Sequence, residues 1–543
     1  MKSGAHVLNG FARKGRTFPA FAGFTVWLMG ASPLAALAQA GLDIGSASKI
    51  TVVPRISVTE TLTSNVFLSS TAEKAELITQ VSPGIRISSN GGRIRGTLDY
   101  SLTELLYANN SSARRSQNSL NAFGTAELVD DRAFIDFSGV IGQQSVSAFG
   151  TPAGNGTALN GNSTETSVFR LSPYVRGSLG SFADYDARYS ITSSSSGAST
   201  VSDVDARDAS LRLNGVGGRI GSGWSVAADH QSYSYSAGRS TESRRLTGQW
   251  NYPFSTRWGA YIKGGYESND FATATRQTEN FSALGLNWTP NDEARFSIDQ
   301  DSRGFTGLAI NWAPSKRTSV AVTRERRLFG DSHSIALGYR TPNTAWTFSD
   351  SRNVVAFQGQ GLTAVSLYDF LLGQLTAGET DPVKREQSAA FLQANGITPG
   401  AIAITGFLSS SLSVQRQQQL SFTLFGARNT VTVVATRSRS NKLDGLTTAL
   451  DDFSTSTAIS QNGFSVNYSY RITPQSVLSV VAANQNSSGS AGQNTSLRTV
   501  NVNLSARINK DTTANIGARH VVFDGNANSH TETAVLGNLN VQF

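Results

Sequence analysis

Few residues in this chain could carry covalent or metal chemistry. There is no cysteine, which removes disulfides and thiolate metal sites together. The histidines, His6, His230, His333, His520 and His530, stand at spacings that match no metal-ligand pattern. No H-E-x-x-H, G-x-S-x-G or phosphate-loop sequence occurs. Serine is so frequent that a Ser/His/Asp set could be assembled anywhere, so such a set carries no information. The reading is a protein that is not an enzyme, with no catalytic, cofactor-binding or metal residues.

The residues that do recur in a pattern are charged. Arg93, Arg95, Arg170, Arg176, Arg188, Arg212, Lys263, Arg295, Arg340, Arg471 and Arg507 fall at polar positions of alternating segments. Asp99, Asp136, Asp186, Glu267 and Asp299 share those positions. A period of two puts such residues on one face of a strand. If that face lines a channel, the acids pair with part of the arginines and the excess leaves a mildly positive field. Low-dielectric walls focus such a field, which favours anions, acidic sugars among them, without holding them tightly. The chemistry suggested is selection and passage.

Elements able to position that face must be strands. Hydrophobic residues make up 39% and charged residues only 15%, against about 25% charged in soluble domains. Glycine is common at 51 residues while proline is scarce at 13. That balance excludes charge-driven disorder. A mean hydropathy of -0.21 with almost no long apolar run excludes a helical membrane protein. The net charge of +8 owes four charges to Lys2, Arg13, Lys14 and Arg16, in a stretch of 40 residues without an acid. The remainder has 42 basic and 38 acidic residues and no basic block, so no nucleic-acid partner is expected.

Residues 1–40 read as a secretory leader: basic residues up to Arg16, an uncharged stretch from Phe18, and the small-residue triplet Ala38-Gln39-Ala40. Pro33 and the triplet argue against a transmembrane anchor, and cleavage near Ala40 would start the mature chain at Gly41. Beyond it, residues 464–472 alternate strictly, with Phe464, Val466, Tyr468, Tyr470 and Ile472 apolar. Residues 500–508 do the same through Val500, Val502, Leu504, Ala506 and Ile508, and residues 93–100 through Ile94, Gly96, Leu98 and Tyr100. Short connections such as Ser89–Gly92, Thr341–Asn343 and Thr473–Gln475 alternate with long polar ones at 145–163, 192–203, 268–280, 441–455 and 484–495.

A soluble sandwich or solenoid would also alternate. Too few inward apolar residues and the absence of a fixed repeat count against both. The pattern predicts an all-β fold: a large antiparallel transmembrane β-barrel of the bacterial outer membrane. Counting hairpins predicts 24 strands, within a range of 22–26, over residues 41–543, with short periplasmic turns and long extracellular loops. Aromatic residues beside short turns, Trp250, Trp258, Trp288, Trp312 and Trp346 among them, suit a girdle at the membrane surface. Residues 359–405 break the pattern with helical spacing and form a long loop, a candidate constriction or plug. The alternating end Leu539-Asn540-Val541-Gln542-Phe543 resembles the assembly signal of outer-membrane barrels. Outer-membrane lipid and the barrel-assembly machinery, engaged through Phe543, are therefore the expected partners.

Several phrases resemble one family. They include Val81-Ser82-Pro83-Gly84-Ile85-Arg86-Ile87, Arg95-Gly96-Thr97-Leu98-Asp99-Tyr100-Ser101-Leu102 and Leu171-Ser172-Pro173-Tyr174-Val175-Arg176-Gly177. Asn121-Ala122-Phe123-Gly124-Thr125-Ala126-Glu127-Leu128 and Phe425-Gly426-Ala427-Arg428-Asn429-Thr430-Val431 extend the match. The sequence resembles the PEP-CTERM system-associated outer-membrane proteins of exosortase-bearing Gram-negative bacteria. That resemblance implies a setting in exopolysaccharide export, with polysaccharide and periplasmic export proteins as partners, and supplies no catalytic residues. Two alternatives stand beside it: a non-conducting scaffold barrel that organises surface polymer, and a nutrient porin.

Overall fold

The computed structural model describes residues 50–151, 156–217, 222–238, 240–271, 275–356, 406–443, 450–526 and 528–543. The expected leader at 1–40 and the insertion at 359–405 lie outside the described residues. The first six strands are β1 (Ile50–Thr63), β2 (Glu76–Gly91), β3 (Ile94–Tyr107), β4 (Arg115–Val129), β5 (Ala133–Ser145) and β6 (Ser163–Leu179). Next come β7 (Ala183–Ser196), β8 (Val204–Gly217), β9 (Ser222–Tyr235), β10 (Thr241–Pro253), β11 (Trp258–Asn269) and β12 (Gln277–Asn291). They are followed by β13 (Ala294–Asp301), β14 (Thr306–Ser315), β15 (Thr318–Arg327), β16 (Gly330–Arg340), β17 (Thr344–Val355) and β18 (Ser413–Phe425). The last are β19 (Asn429–Lys442), β20 (Ala458–Thr473), β21 (Ser476–Gly489), β22 (Asn494–Arg507), β23 (Thr512–Gly525) and β24 (His530–Gln542).

Every strand pairs antiparallel with its chain neighbours, and β1 pairs with β24 from Arg55↔Gln542 to Thr63↔Ala534. The sheet is closed and has 24 strands, as the hairpin count predicts. Closure removes the sheet edges and satisfies the backbone within the wall, the condition for crossing a bilayer with strands. One face of the wall is an apolar band. Val500, Val502 and Leu504 on β22 are exposed, as are Leu284 and Leu286 on β12 and Phe169 and Leu171 on β6. Leu98 and Val466 share that face, each half-buried by its neighbours. At the short-turn end Trp258 stacks on Trp288 at 5.6 Å, and Trp288 on Phe296 at 5.1 Å. Such rings suit the membrane surface, where one edge is wet.

Left-handed residues close some of the short turns. Gly92 between β2 and β3 has φ +68°, and Asp131 between β4 and β5 has φ +57°. Left-handed residues of this kind close tight hairpins whose twist matches the strands. The other end differs from expectation in one respect. The loop expected at 484–495 is mostly ladder, because β21 runs to Gly489 and β22 starts at Asn494. There the strands rise beyond the lipid and both faces turn polar, so the alternation fades while the hydrogen bonds continue. The connections expected at 192–203 and 268–280 shorten in the same way.

An outer-membrane barrel places Ala491, between β21 and β22, outside the cell and Asp292, between β12 and β13, in the periplasm. With no native cysteine as background, Ala491→Cys should react with an impermeant maleimide on intact cells. Asp292→Cys should react only after the outer membrane is opened. The reverse pattern would invert the topology.

Candidate functional site

The charged residues singled out from the sequence fall into two groups on the face opposite the apolar band. That face is the concave one. Arg245 on β10 bonds Glu325 on β15 at 2.9 and 2.8 Å, and Arg327 on β15 reaches Glu267 on β11 at 3.0 Å. Bonds between strands so far apart in order can form only across the inside of a curved wall. Pairing is what allows these half-buried charges to be kept. Arg245, Glu325 and Arg327 were not singled out from the sequence. The period of two, run along β10 and β15, would have reached them.

The first group encircles the short-turn mouth. Arg95, Arg176, Arg295, Arg340, Arg471 and Arg507 each lie within a few residues of a short turn, on six different strands. Arg95, Arg295, Arg340 and Arg507 are exposed. None of the four forms an ion pair among the described residues. Arg176 lies over the Phe134 ring at 4.7 Å. Arg93 stands apart, in the turn before β3, where it pairs with Asp130 at 2.8 Å.

The second group lies deeper. Arg188 binds Asp136 at 2.6 Å and covers the Tyr174 ring at 4.0 Å, while Arg212 binds Asp229 at 2.6 Å. Arg170 donates to Ser172 and Ser190, and Lys263 lies 6.0 Å from the Phe281 ring centre. Asp99 receives both Arg55 and Arg86. Arg55 reaches from β1 to β3 across Gly84 of β2, where a Cβ would stand 2.9 Å from the arginine Nε. Tyr261 crosses Gly285 in the same way to donate to Asp299 at 2.8 Å. In both places a missing side chain opens the path for a bond that skips a strand.

The opposite mouth is crossed by a segment of chain. Residues 406–412, directly before β18, form a strap, and Phe407, Leu408, Ser409, Ser410, Ser411 and Leu412 are each at most 1% exposed. The Leu408 amide donates to the Ser145 carbonyl at the end of β5, 3.0 Å away. In a ring of 24 strands, β5 and β18 are 13 apart one way and 11 the other, so the strap spans the mouth. The Ser202 amide, between β7 and β8, donates to Ser410 Oγ at 3.1 Å. Leu412 packs with Phe271 and Ala356, while Phe407 stands 6.2 Å from Phe453 beside Ile459.

Asp451, between β19 and β20, is the polar hub. Its carboxylate accepts from Ser409 Oγ at 2.8 Å, the Ser410 amide at 3.1 Å, Ser411 Oγ at 3.2 Å and the Phe453 amide at 3.0 Å. A cavity of about 20 Å³ remains beneath, lined by Gly406, Ser147, Gln461 and Gln485, room for about one water. The expected plug lies outside the described residues, and the residues that follow it, 406–412, cross the mouth. A run of three serines between Phe407-Leu408 and Leu412 was the available signal, and it has no periodicity to reveal it.

Asp452 ties the loop after β5 to the strap's support, accepting from Ser147 Oγ and the Ala148 amide, both at 2.7 Å. Burial raises its pKa above the ordinary aspartate value. The folded state therefore binds this proton more tightly than the unfolded chain does. Its contribution to stability is complete below the unfolded pKa and is lost as pH rises through the folded one. Asp452→Asn should therefore leave the loop docked and flatten the acid-side pH dependence of melting. Amide hydrogen exchange at Ala148 checks the first point and thermal melts from pH 3 to 7 the second. A sharply lowered midpoint at all pH values would contradict both.

No family model and no curated protein matches the chain. Among solved structures it is similar to the FrpB iron transporter from Neisseria meningitidis (F3-3 variant). Identity is 10%, over 90% of this chain and 81% of that one, with a TM-score of 0.44. It is also similar to the siderophore receptor PirA from Pseudomonas aeruginosa, at 10% identity, 90% and 80% coverage and a TM-score of 0.37. The siderophore receptor PiuA from Acinetobacter baumannii gives 9%, 90%, 82% and 0.40. Likenesses this slight carry no argument about what crosses this barrel. The fold stands on its own strand pairing.

Proposed function

We propose that the chain is an outer-membrane conduit for an anionic or neutral polysaccharide, working in an exosortase-linked export system. The strap across its outer mouth is the part that would have to move for passage. The observation that carries this reading is the basic ring at the short-turn mouth. Arg95, Arg295, Arg340 and Arg507, without carboxylate partners among the described residues, stand where a polymer leaving the periplasm would enter. The concave face of β14–β16 supports it, because Asn311, Ala321, Thr323 and Ser334 remain exposed there. A wide polar lumen with weak, distributed positive charge attracts a polyanion without trapping it. Cleavage near Ala40, assembly through Phe543 and a periplasmic export partner belong to the same proposal.

The buried strap favours a second reading, a permanently closed barrel that scaffolds surface polymer. Deleting the protein and restoring it with a strap-locked variant separates the two. The lock is a disulfide engineered between the strap and the end of β5 through Leu408→Cys and Ser145→Cys. A conduit loses surface polymer in the locked, oxidised form, whereas a scaffold keeps it. Ion current with unchanged surface polymer in the deletion would instead indicate a nutrient porin.

A further inference from the structure

The apolar face of the wall carries a second set of arginines, past its apolar side chains toward the long-loop end. One lateral row crosses five strands in direct register: Arg324↔His333, His333↔Arg352, Arg352↔Arg416 and Arg416↔Arg439. Arg326 and Arg437 flank it on the same face. On β17 this row stands just past Trp346 and Phe348, and on β18 just past Phe422 and Leu420, the apolar side chains of the band. At a strand spacing of about 4.8 Å the row is roughly 19 Å wide.

Internal acids do not balance it. Asp331 takes Arg324 and Arg326 at 3.3 and 3.5 Å, and Asp350 takes Arg416 at 2.6 Å with His333 at 3.1 Å. Asp350 is buried beneath these partners and serves to hold them. Arg324, Arg326, Arg352, Arg416, Arg437 and Arg439 against Asp331 and Asp350 leave six minus two, a net +4 with histidine neutral. Arg437 and Arg439 are exposed, with no carboxylate partner among the described residues. Elsewhere on this face a single acid serves two arginines: on β10 Glu242 takes Arg244 at 2.5 Å and Arg276 as well.

A row of guanidinium groups at the upper edge of a lipid-facing band meets the headgroups of the outer leaflet. Arginine forks match phosphate oxygens in geometry and charge. We propose that the outer face of β15–β19 binds the phosphate groups of an outer-leaflet glycolipid. This site rests on the barrel and its orientation, not on the polysaccharide reading, so either can fail alone.

The test uses the full mature barrel in a neutral detergent, with native mass spectrometry to count bound lipid. Diphosphorylated lipid A is titrated against the same lipid stripped of both phosphates, and inorganic phosphate is added as competitor. Diphosphorylated lipid should bind at least about tenfold more tightly, and millimolar inorganic phosphate should not displace it. Arg324→Gln/Arg437→Gln/Arg439→Gln should weaken binding by about a hundredfold, and the matching lysine triple by only a few fold. Equal binding of the stripped lipid, or an unchanged glutamine triple, would overturn the site. Full displacement by inorganic phosphate would overturn the glycolipid as its ligand. The comparison of the two lipids on the unmodified protein decides the question even if the glutamine triple fails to fold.

Discussion

Replacing Asp451 by alanine should turn a silent barrel into one that opens. The variant leaves four buried donors without their acceptor: two serine hydroxyls, the Ser410 amide and the Phe453 amide. Three of them belong to the strap, and at about 1 kcal/mol each, the low end for such groups, the closed state loses about 3 kcal/mol, on the order of a hundredfold in open population. Phe407, Leu408 and Leu412 still anchor the strap, and at about 2 kcal/mol each they outweigh that loss. Asp451→Ala alone should therefore give intermittent openings in a planar bilayer, and Asp451→Ala with Phe407→Ala persistent ones. Asp452→Asn is the matched control and should stay closed. If the double variant, folded by heat-dependent gel mobility, passes no current, the strap is not what closes the mouth.

The second large effect is a reversal of ion selectivity. In the opened barrel the basic ring should favour anions at low salt. The preference should fade as the screening length falls from about 30 Å at 0.01 M to about 3 Å at 1 M. Arg95→Glu, Arg340→Glu and Arg507→Glu together turn three positive charges at one mouth into three negative ones. All three side chains are exposed. Substitution there should cost little stability, because no buried contact is lost. The reversal potential should change sign. Clear cation selectivity before substitution would remove the electrostatic part of the account and leave the barrel untouched.

How much of this was legible depends on what sets each pattern. Strands such as Ala458–Thr473 and Asn494–Arg507 were legible because lipid on one side and polar surroundings on the other impose a period of two on the sequence. Strand ends were not, because above the membrane both faces of β21 and β22 are polar and a ladder reads as a loop. The basic ring was legible residue by residue, but its gathering at one mouth appears only when six strands are brought into one ring. The strap was illegible, since Ser409, Ser410 and Ser411 owe their burial to Asp451, far along the chain, and to no local repeat. The outward arginines were missed for a related reason: alternation shows which face a residue takes, not how far up the strand the lipid ends.

The measurement closest to the central claim is polymer blockade of single channels formed by Asp451→Ala/Phe407→Ala. A short acidic oligouronate added on the short-turn side should produce transient current blockades. Their frequency should fall with added salt, and fall again when Arg95, Arg340 and Arg507 are changed to glutamate. An open channel that shows no blockade by the oligouronate, or the same blockade frequency with the ring reversed, would contradict a conduit for anionic glycan entering at the basic mouth.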